Sequence, residues 1–258
     1  MKQTTTSFSP DTRSSHWLAA LRALGAADAA GVGRDPLLRV MVLLPLGVAL
    51  AARWLLPAPL ARAGALLGVD LLPFYAPVIS YALLLLAPSV CGMVVGFLLL
   101  DQRDDRTLLA LRVTPLPPAA YLAYRLGAPT LLSLLMTAVA LPLSGTAGVG
   151  PGGVLLAALA AAPLAPLGAL FLAVFAANKV QGFALQKALG VLVVAPLAGA
   201  LAPLPWGLLA GLAPSLWPAA LLWEMQAGGG RAAALFAVGV AHHGALLALL
   251  LRRFQRGV

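Results

Sequence analysis

From Phe74 to Leu100 the chain carries no charged side chain. About 20 residues of α-helix cross the hydrocarbon core of a bilayer, so this run is long enough to span one. It can span only as a helix, because lipid offers no partner for an open backbone N–H or C=O. Five more runs are long and apolar enough to do the same, at about 37–56, 119–143, 153–177, 188–205 and 232–251. Over the whole chain 61% of residues are hydrophobic and 10% charged, and the mean hydropathy is +0.96. A soluble domain is about 45–50% apolar and about 25% charged. An aqueous core cannot hide this much apolar surface, and the expectation is an all-α integral membrane protein with six transmembrane helices.

Two further apolar stretches test that count. Residues 57–73 are interrupted by Pro57, Pro59, Arg62 and Asp70 and read as too broken to span. Residues 206–223 are long enough on length alone. The distribution of basic residues decides the second case, because short cytoplasmic segments concentrate Lys and Arg. With six spans and the N-terminus inside, 14 of the 17 basic residues fall on the cytoplasmic side, leaving Arg53, Arg62 and Arg231 outside. A seventh span would carry the Arg252, Arg253 and Arg256 end outward and spoil the bias. Residues 206–223 therefore read as a re-entrant or interfacial hairpin on the outer face, broken by Pro203, Pro205, Pro214 and Pro218. The net charge of +9 is read as topology information, with a lipid bilayer and no nucleic acid as partner.

The expected organisation is a cytoplasmic tail and surface helix over 1–36 and a single six-span domain over 37–258. Residues 1–13 are polar and read as disordered. Residues 1–36 have no continuous apolar core of signal-peptide type, so no cleavage is expected. In residues 14–30, Trp17, Leu18, Leu21 and Leu24 fall on one helical face with Arg22 and Asp28 away from it, the pattern of a helix lying along a membrane surface. A loosely structured tail is the plainer alternative. Cys91, the only cysteine, sits inside an apolar run and has no intrachain partner.

After Leu100 come six polar residues in a row: Asp101, Gln102, Arg103, Asp104, Asp105 and Arg106. Asp104 or Asp105 can cap a helix start. Leu108, Leu109, Leu111 and Val113 then form a short apolar stripe, and Thr114 precedes Pro115, where helix is disfavoured. The segment reads either as a solvated stop-transfer loop or as a docking helix whose Leu stripe enters a groove on a cytosolic partner.

The stretch "LLLDQRDDRTLLALRVTPLPPAAYLAYR" resembles the cytoplasmic loop of ABC-2 type transporter permeases. "ANKVQGFALQK", 177–187, and "APLPWGLLAGLAPSLWPAALLWE", 202–224, resemble the drug-export branch, typified by fluoroquinolone export permeases. An acidic residue is common in that branch where Gln181 stands here. The resemblance covers most of residues 75–254. It implies a permease half-transporter that pairs with a second copy or a sister permease and binds separate ABC ATPase subunits. Mg-ATP would sit on those ATPases, with no cofactor in this chain. It further implies that Arg103, Asp104, Asp105, Arg106, Thr107, Leu108 and Leu111 belong to the coupling helix, that Trp17, Leu18, Leu21 and Leu24 belong to an elbow helix, and that the protein lies in the bacterial cytoplasmic membrane with both termini inside. Cargo would be amphipathic or hydrophobic, since few polar groups interrupt the spans.

No GxxxxGK[ST], HExxH or Cys/His cluster with metal spacing is present, so neither a nucleotide cradle nor a metal site is expected. Adjacent His242 and His243 point about 100° apart on a helix. They read as intramembrane polar contacts rather than as ligands of one metal. Trp206, Trp217 and Glu224 are candidates for the outer hairpin or gate, and Tyr121, Tyr124 and Arg125 for a cytoplasmic interface belt. The competing functional classes are a membrane-embedded lipid-modifying enzyme and a non-catalytic membrane scaffold or immunity protein. For the enzyme, the only carboxylate cluster is Asp101, Asp104 and Asp105, interleaved with Arg103 and Arg106.

Overall fold

The computed structural model describes residues 10–104, 118–201 and 209–257, and all regular structure among them is helical. The helices are α1 (Pro10–Arg34), α2 (Pro36–Trp54), α3 (Pro57–Leu67), α4 (Leu72–Asp104), α5 (Pro118–Ser144), α6 (Pro151–Ala161), α7 (Leu164–Phe175), α8 (Lys179–Leu201), α9 (Leu216–Gln226) and α10 (Ala232–Gly257), with one 3-10 turn at Ala210–Leu212. Six spans are long and apolar enough to cross a membrane: α2, α4, α5, α6 with α7, α8 and α10. This is a multi-pass membrane protein.

Prolines and polar caps set the boundaries. Asp35 caps α2, its carboxylate accepting the N–H groups of Leu37 (2.9 Å) and Leu38 (3.4 Å), with Pro36 in the first turn. The fourth span breaks between α6 and α7. Pro163 and Pro166 lack the N–H groups that would reach Leu159 and Ala162, and Ala162 instead accepts from Ala165 in a tighter turn at 3.1 Å. α3 and α9 have 11 residues each, a length of about 16 Å against a hydrocarbon core of about 30 Å. Neither spans. Gly68 closes α3 with φ 67°, a conformation that costs a residue with a Cβ.

Several sequence expectations need correction. Residues 10–13 are helical, as the start of α1, rather than disordered. α8 begins at Lys179, not near 188, because Asn178 caps it: Gln181 N–H donates to Asn178 Oδ1 at 3.0 Å, and Gln181 Oε1 accepts the Ala177 N–H at 2.6 Å. α10 runs on through Arg252, Arg253 and Arg256. Pro218 does not break a helix; it occupies the first turn of α9, where a missing N–H costs nothing.

The spans alternate in direction, giving the bundle a charged end, at Asp35, Asp104, Lys179 and Arg256, and an opposite end. α4 is the centre: 83% of its most apolar stretch is buried, against 6% for α8 and 11% for α10. Gly92 and Gly96, one helical turn apart on α4, let it press backbone to backbone on α7. A Cβ on Gly92 would stand 2.5 Å from the Ala165 carbonyl oxygen, and one on Gly96 would stand 2.7 Å from a Leu172 methyl. Small residues of this kind allow the close approach that packs helices in lipid, where no hydrophobic drive exists between them. The outward faces of α8 and α2 carry Val180, Val191, Val194, Val40 and Leu43 in the open, the pattern of surfaces that meet acyl chains.

Candidate functional site

α8 and α10 both flank α7, and between them lies a cleft of about 760 Å³. Its floor is α7, through Leu164, Leu167, Gly168, Phe171 and Phe175, with Leu85 and Ser89 of α4 behind. One wall is Gln186, Leu189, Gly190 and Val193 of α8; the other is Leu246, Leu249, Leu250 and Arg253 of α10. Each wall follows the i, i+3, i+4, i+7 spacing of a single helical face. Leu212, Pro214 and Ser215 close the far end, and Arg252, Arg253 and Arg256 stand at the charged end. The Arg253 guanidinium carbon lies 4.8 Å from the Phe175 ring centroid, a cation–π contact. Ligand pockets for drug-sized molecules run to about 300–1,000 Å³ and are mostly apolar with a few placed polar groups. This cleft has both properties.

At the far end a proline decides the hydrogen bonding. Pro196 lacks the N–H that would bond the Leu192 carbonyl, and an unmet carbonyl within the membrane is costly. The Ser215 hydroxyl donates to Leu192, and the Tyr81 hydroxyl of α4 donates to the next carbonyl, Val193. His243 of α10 is buried with Nε2 2.9 Å from the Pro214 carbonyl. A carbonyl only accepts, so Nε2 carries the proton. The Trp217 Nε1–H donates to the Gly211 carbonyl at 3.2 Å, and its ring centroid is 6.1 Å from that of His242. Trp217 and both histidines thus tie the 3-10 segment to α10. Trp206 lies outside the described residues.

Glu224 holds the turn between α9 and α10. Its Oε1 accepts the Arg231 N–H at 3.0 Å, and its other oxygen pairs with the Arg231 guanidinium at 3.3 Å. These bonds, the backbone one first, hold its carboxyl below the usual carboxylate range.

The charged end carries two ionic networks. The Asp28 carboxylate of α1 lies 2.7 Å from the Arg125 guanidinium and accepts the Tyr124 hydroxyl at 2.7 Å. The Arg125 Nε–H donates to Tyr121 at 3.2 Å, and Tyr121 donates to Gln102 at 2.9 Å. Lys179 stands 2.9 Å from Asp101 and 3.9 Å from Asp35, joining α8, α4 and the start of α2. Arg103 donates to the carbonyls of Ala176 (2.8 Å), Ala177 (2.6 Å) and Ala173 (3.4 Å), which caps the negative end of α7.

The sequence-predicted residues fall into three groups. Arg103 and Asp104 occupy the last turn of α4, and Arg103 is turned inward to α7 rather than outward. Asp105, Arg106, Thr107, Leu108 and Leu111 lie outside the described residues. Trp17, Leu18, Leu21 and Leu24 lie on α1, where Leu24 packs against a cluster containing Tyr121, Leu99 and Ala169. Two expectations change. Asp28 is not away from the Leu24 face but shares it, one turn further on, and Arg125 is no interface belt: it is 3% exposed and bound to Asp28. The missed signal was Gly25, Asp28 and Gly31, a small–acid–small spacing. Its glycines let α1 approach Tyr124 and Leu98. Among the described residues no three His, Cys, Asp or Glu gather as metal ligands.

The chain matches the family described as "Fluoroquinolones export permease protein Rv2686c-like" over residues 28–251. Two relatives from Mycobacterium tuberculosis are 34% identical over 210 residues, covering 79% of this chain and 82% of theirs. They are the fluoroquinolones export permease protein MT2760 of strain CDC 1551 / Oshkosh and the fluoroquinolones export permease protein Rv2686c of strain ATCC 25618 / H37Rv. No solved structure matches the chain.

Proposed function

The chain belongs to the Rv2686c-like fluoroquinolones export permease family, and from that premise we propose that it is the membrane subunit of an ATP-driven ABC exporter for amphipathic, drug-like compounds. The observation that carries the reading is the cleft between α8 and α10, apolar along its walls and drug-sized, set between two helices that face the bilayer. Cargo partitioned into the inner leaflet enters it sideways. ATP hydrolysis belongs to separate ATPase subunits that carry Mg-ATP, and two permease chains, alike or sister, pair above them. Both termini are cytoplasmic, in the bacterial cytoplasmic membrane, as the 14-to-3 basic split supports.

In this reading α1 is the elbow helix and the segment around 104–114 couples to the ATPase. Leu108 and Leu111 enter its groove, while Asp104, Asp105 and Arg106 set the orientation. Arg103 passes the movement to α7 through the carbonyls it holds. Alternating access then opens the cleft inward and outward in turn, with the hairpin bearing Trp206, Trp217 and Glu224 at the outer exit.

The test is drug accumulation in a sensitive bacterial host that expresses this chain together with a candidate ABC ATPase. A fluoroquinolone should accumulate less in these cells than in vector controls. Leu108→Asp with Leu111→Asp should abolish the difference and the co-purification of the ATPase, with insertion intact. Unchanged accumulation in the wild-type strain sinks the exporter reading; normal export by the double variant sinks the coupling assignment.

A further inference from the structure

We propose that the cleft takes an amphipathic carboxylate, its apolar body between α8 and α10 and its acid group on Arg252, Arg253 and Arg256. This deepens the export reading and rests on it for the claim that the occupant is cargo.

The placement of the arginines supports it. Arginines collected only for topology can point anywhere around a helix end. Arg253 instead continues the Leu246, Leu249, Leu250 stripe that forms the cleft wall. Its guanidinium sits against Phe175, a floor residue, so the charge stands at the end of the cleft itself. Among the described residues lining the cleft there is no Asp or Glu to neutralise it. The ion pairs of the described residues lie elsewhere, at Arg125–Asp28, Lys179 with Asp35 and Asp101, and Arg231–Glu224. A guanidinium fork matches a planar carboxylate with two parallel hydrogen bonds, which neutral cargo cannot form. The apolar length and basic end together select an acid-ended amphiphile over a neutral one. The volume of about 760 Å³ is in the range of a drug-sized body.

The test uses the full chain in nanodiscs of neutral lipid, where both faces are accessible and membrane orientation is irrelevant. The probes are a photoreactive medium-chain fatty acid and its methyl ester, mapped by peptide mass spectrometry. The acid should label α8 and α10 peptides at a concentration about tenfold lower than the ester, a preference of about 1.4 kcal/mol. Combined Arg252→Gln, Arg253→Gln and Arg256→Gln should erase the preference, and the matching Lys variants should keep part of it. Should the triple variant not fold, Arg253→Gln alone should cut the preference at least in half. Equal labelling by acid and ester, an undiminished preference in the Gln variants, or displacement of the acid by modest amounts of anionic phospholipid overturns the proposal. Export is read separately, as cellular accumulation of a fluoroquinolone acid against its ester. Acid-selective labelling without export keeps the cleft assignment and removes the exporter reading. Export without acid selectivity does the reverse.

Discussion

The Asp28 carboxylate and the Arg125 guanidinium meet at 2.7 Å across 97 residues of sequence, with Arg125 3% exposed. This bond fixes α1 to α5, and through Tyr121 and Gln102 to α4. Removing one partner of a buried pair leaves a charge without compensation, at about 3–5 kcal/mol. Asp28→Ala should therefore lower the unfolding midpoint in detergent more than Asp28→Asn, which keeps an acceptor for Tyr124 and Arg125. Asp28→Leu with Arg125→Met should recover much of the loss. A double variant as weak as Asp28→Ala would show that the destabilisation comes from lost packing, not from a stranded cation.

Gly92 offers a second stability test. A methyl there meets the Ala165 backbone oxygen at 2.5 Å, and backbone cannot swing aside as a side chain can. Gly92→Ala should push α4 off α7 and cost about 1–3 kcal/mol. Gly127→Ala, which meets nothing within 4 Å, should cost nothing measurable. Thermal unfolding of both variants, followed by tryptophan fluorescence, checks the contrast.

The six spans were legible because a lipid-facing or buried helix needs only a long, mostly apolar run, and residues 74–100 or 153–177 state that directly. The first turns of α8 were not legible: Lys179, Gln181 and Lys187 read as loop, yet Lys179 pairs with Asp101 and Gln181 completes a cap. Asp28 failed for a related reason. A surface-helix reading sets charges apart from the apolar face, and only a partner far along the chain gives an acid a place on it, one turn from Leu24. The cleft was illegible because it is a gap between helices, and a stripe such as Leu246, Leu249, Leu250 reads the same whether it faces a helix, a lipid or a ligand.

Glu224 carries the pH dependence that the structure makes explicit. Its carboxyl is held below the usual range, by the Arg231 backbone N–H first and the Arg231 side chain second. A depressed folded-state value means the contribution is fully present above the unfolded value and is lost as pH falls through the folded one. The turn at Gly228–Arg231 should stay protected near neutrality and open only below the ordinary carboxylate range. Hydrogen exchange of these amides against pH, corrected for intrinsic rates, should show the step. In Glu224→Gln, whose amide oxygen still accepts the Arg231 N–H but does not titrate, the step should be gone; in Glu224→Ala exchange should be fast throughout.

Pro196 and Ser215 make the most specific prediction. Ser215 donates to the Leu192 carbonyl, which is in need of a donor only because Pro196 has no N–H to give it. Ser215→Ala in the native background should therefore leave a carbonyl at membrane depth unmet, at about 1–3 kcal/mol, or nearer about 0.6 where lipid-facing groups find substitutes as they do on average in membranes. Pro196→Ala restores an intrahelical N–H to that same carbonyl. In the Pro196→Ala background the Ser215→Ala change should be nearly silent, so the two substitutions are strongly non-additive. Tyr81→Phe serves as the control, because the Val193 carbonyl it serves is not the one Pro196 strands. A cycle over the four proteins, read by unfolding in mixed detergent, measures the coupling. If Ser215→Ala costs the same with and without the proline, the hydroxyl stabilises the loop before α9 in some other way and the account of the kink fails.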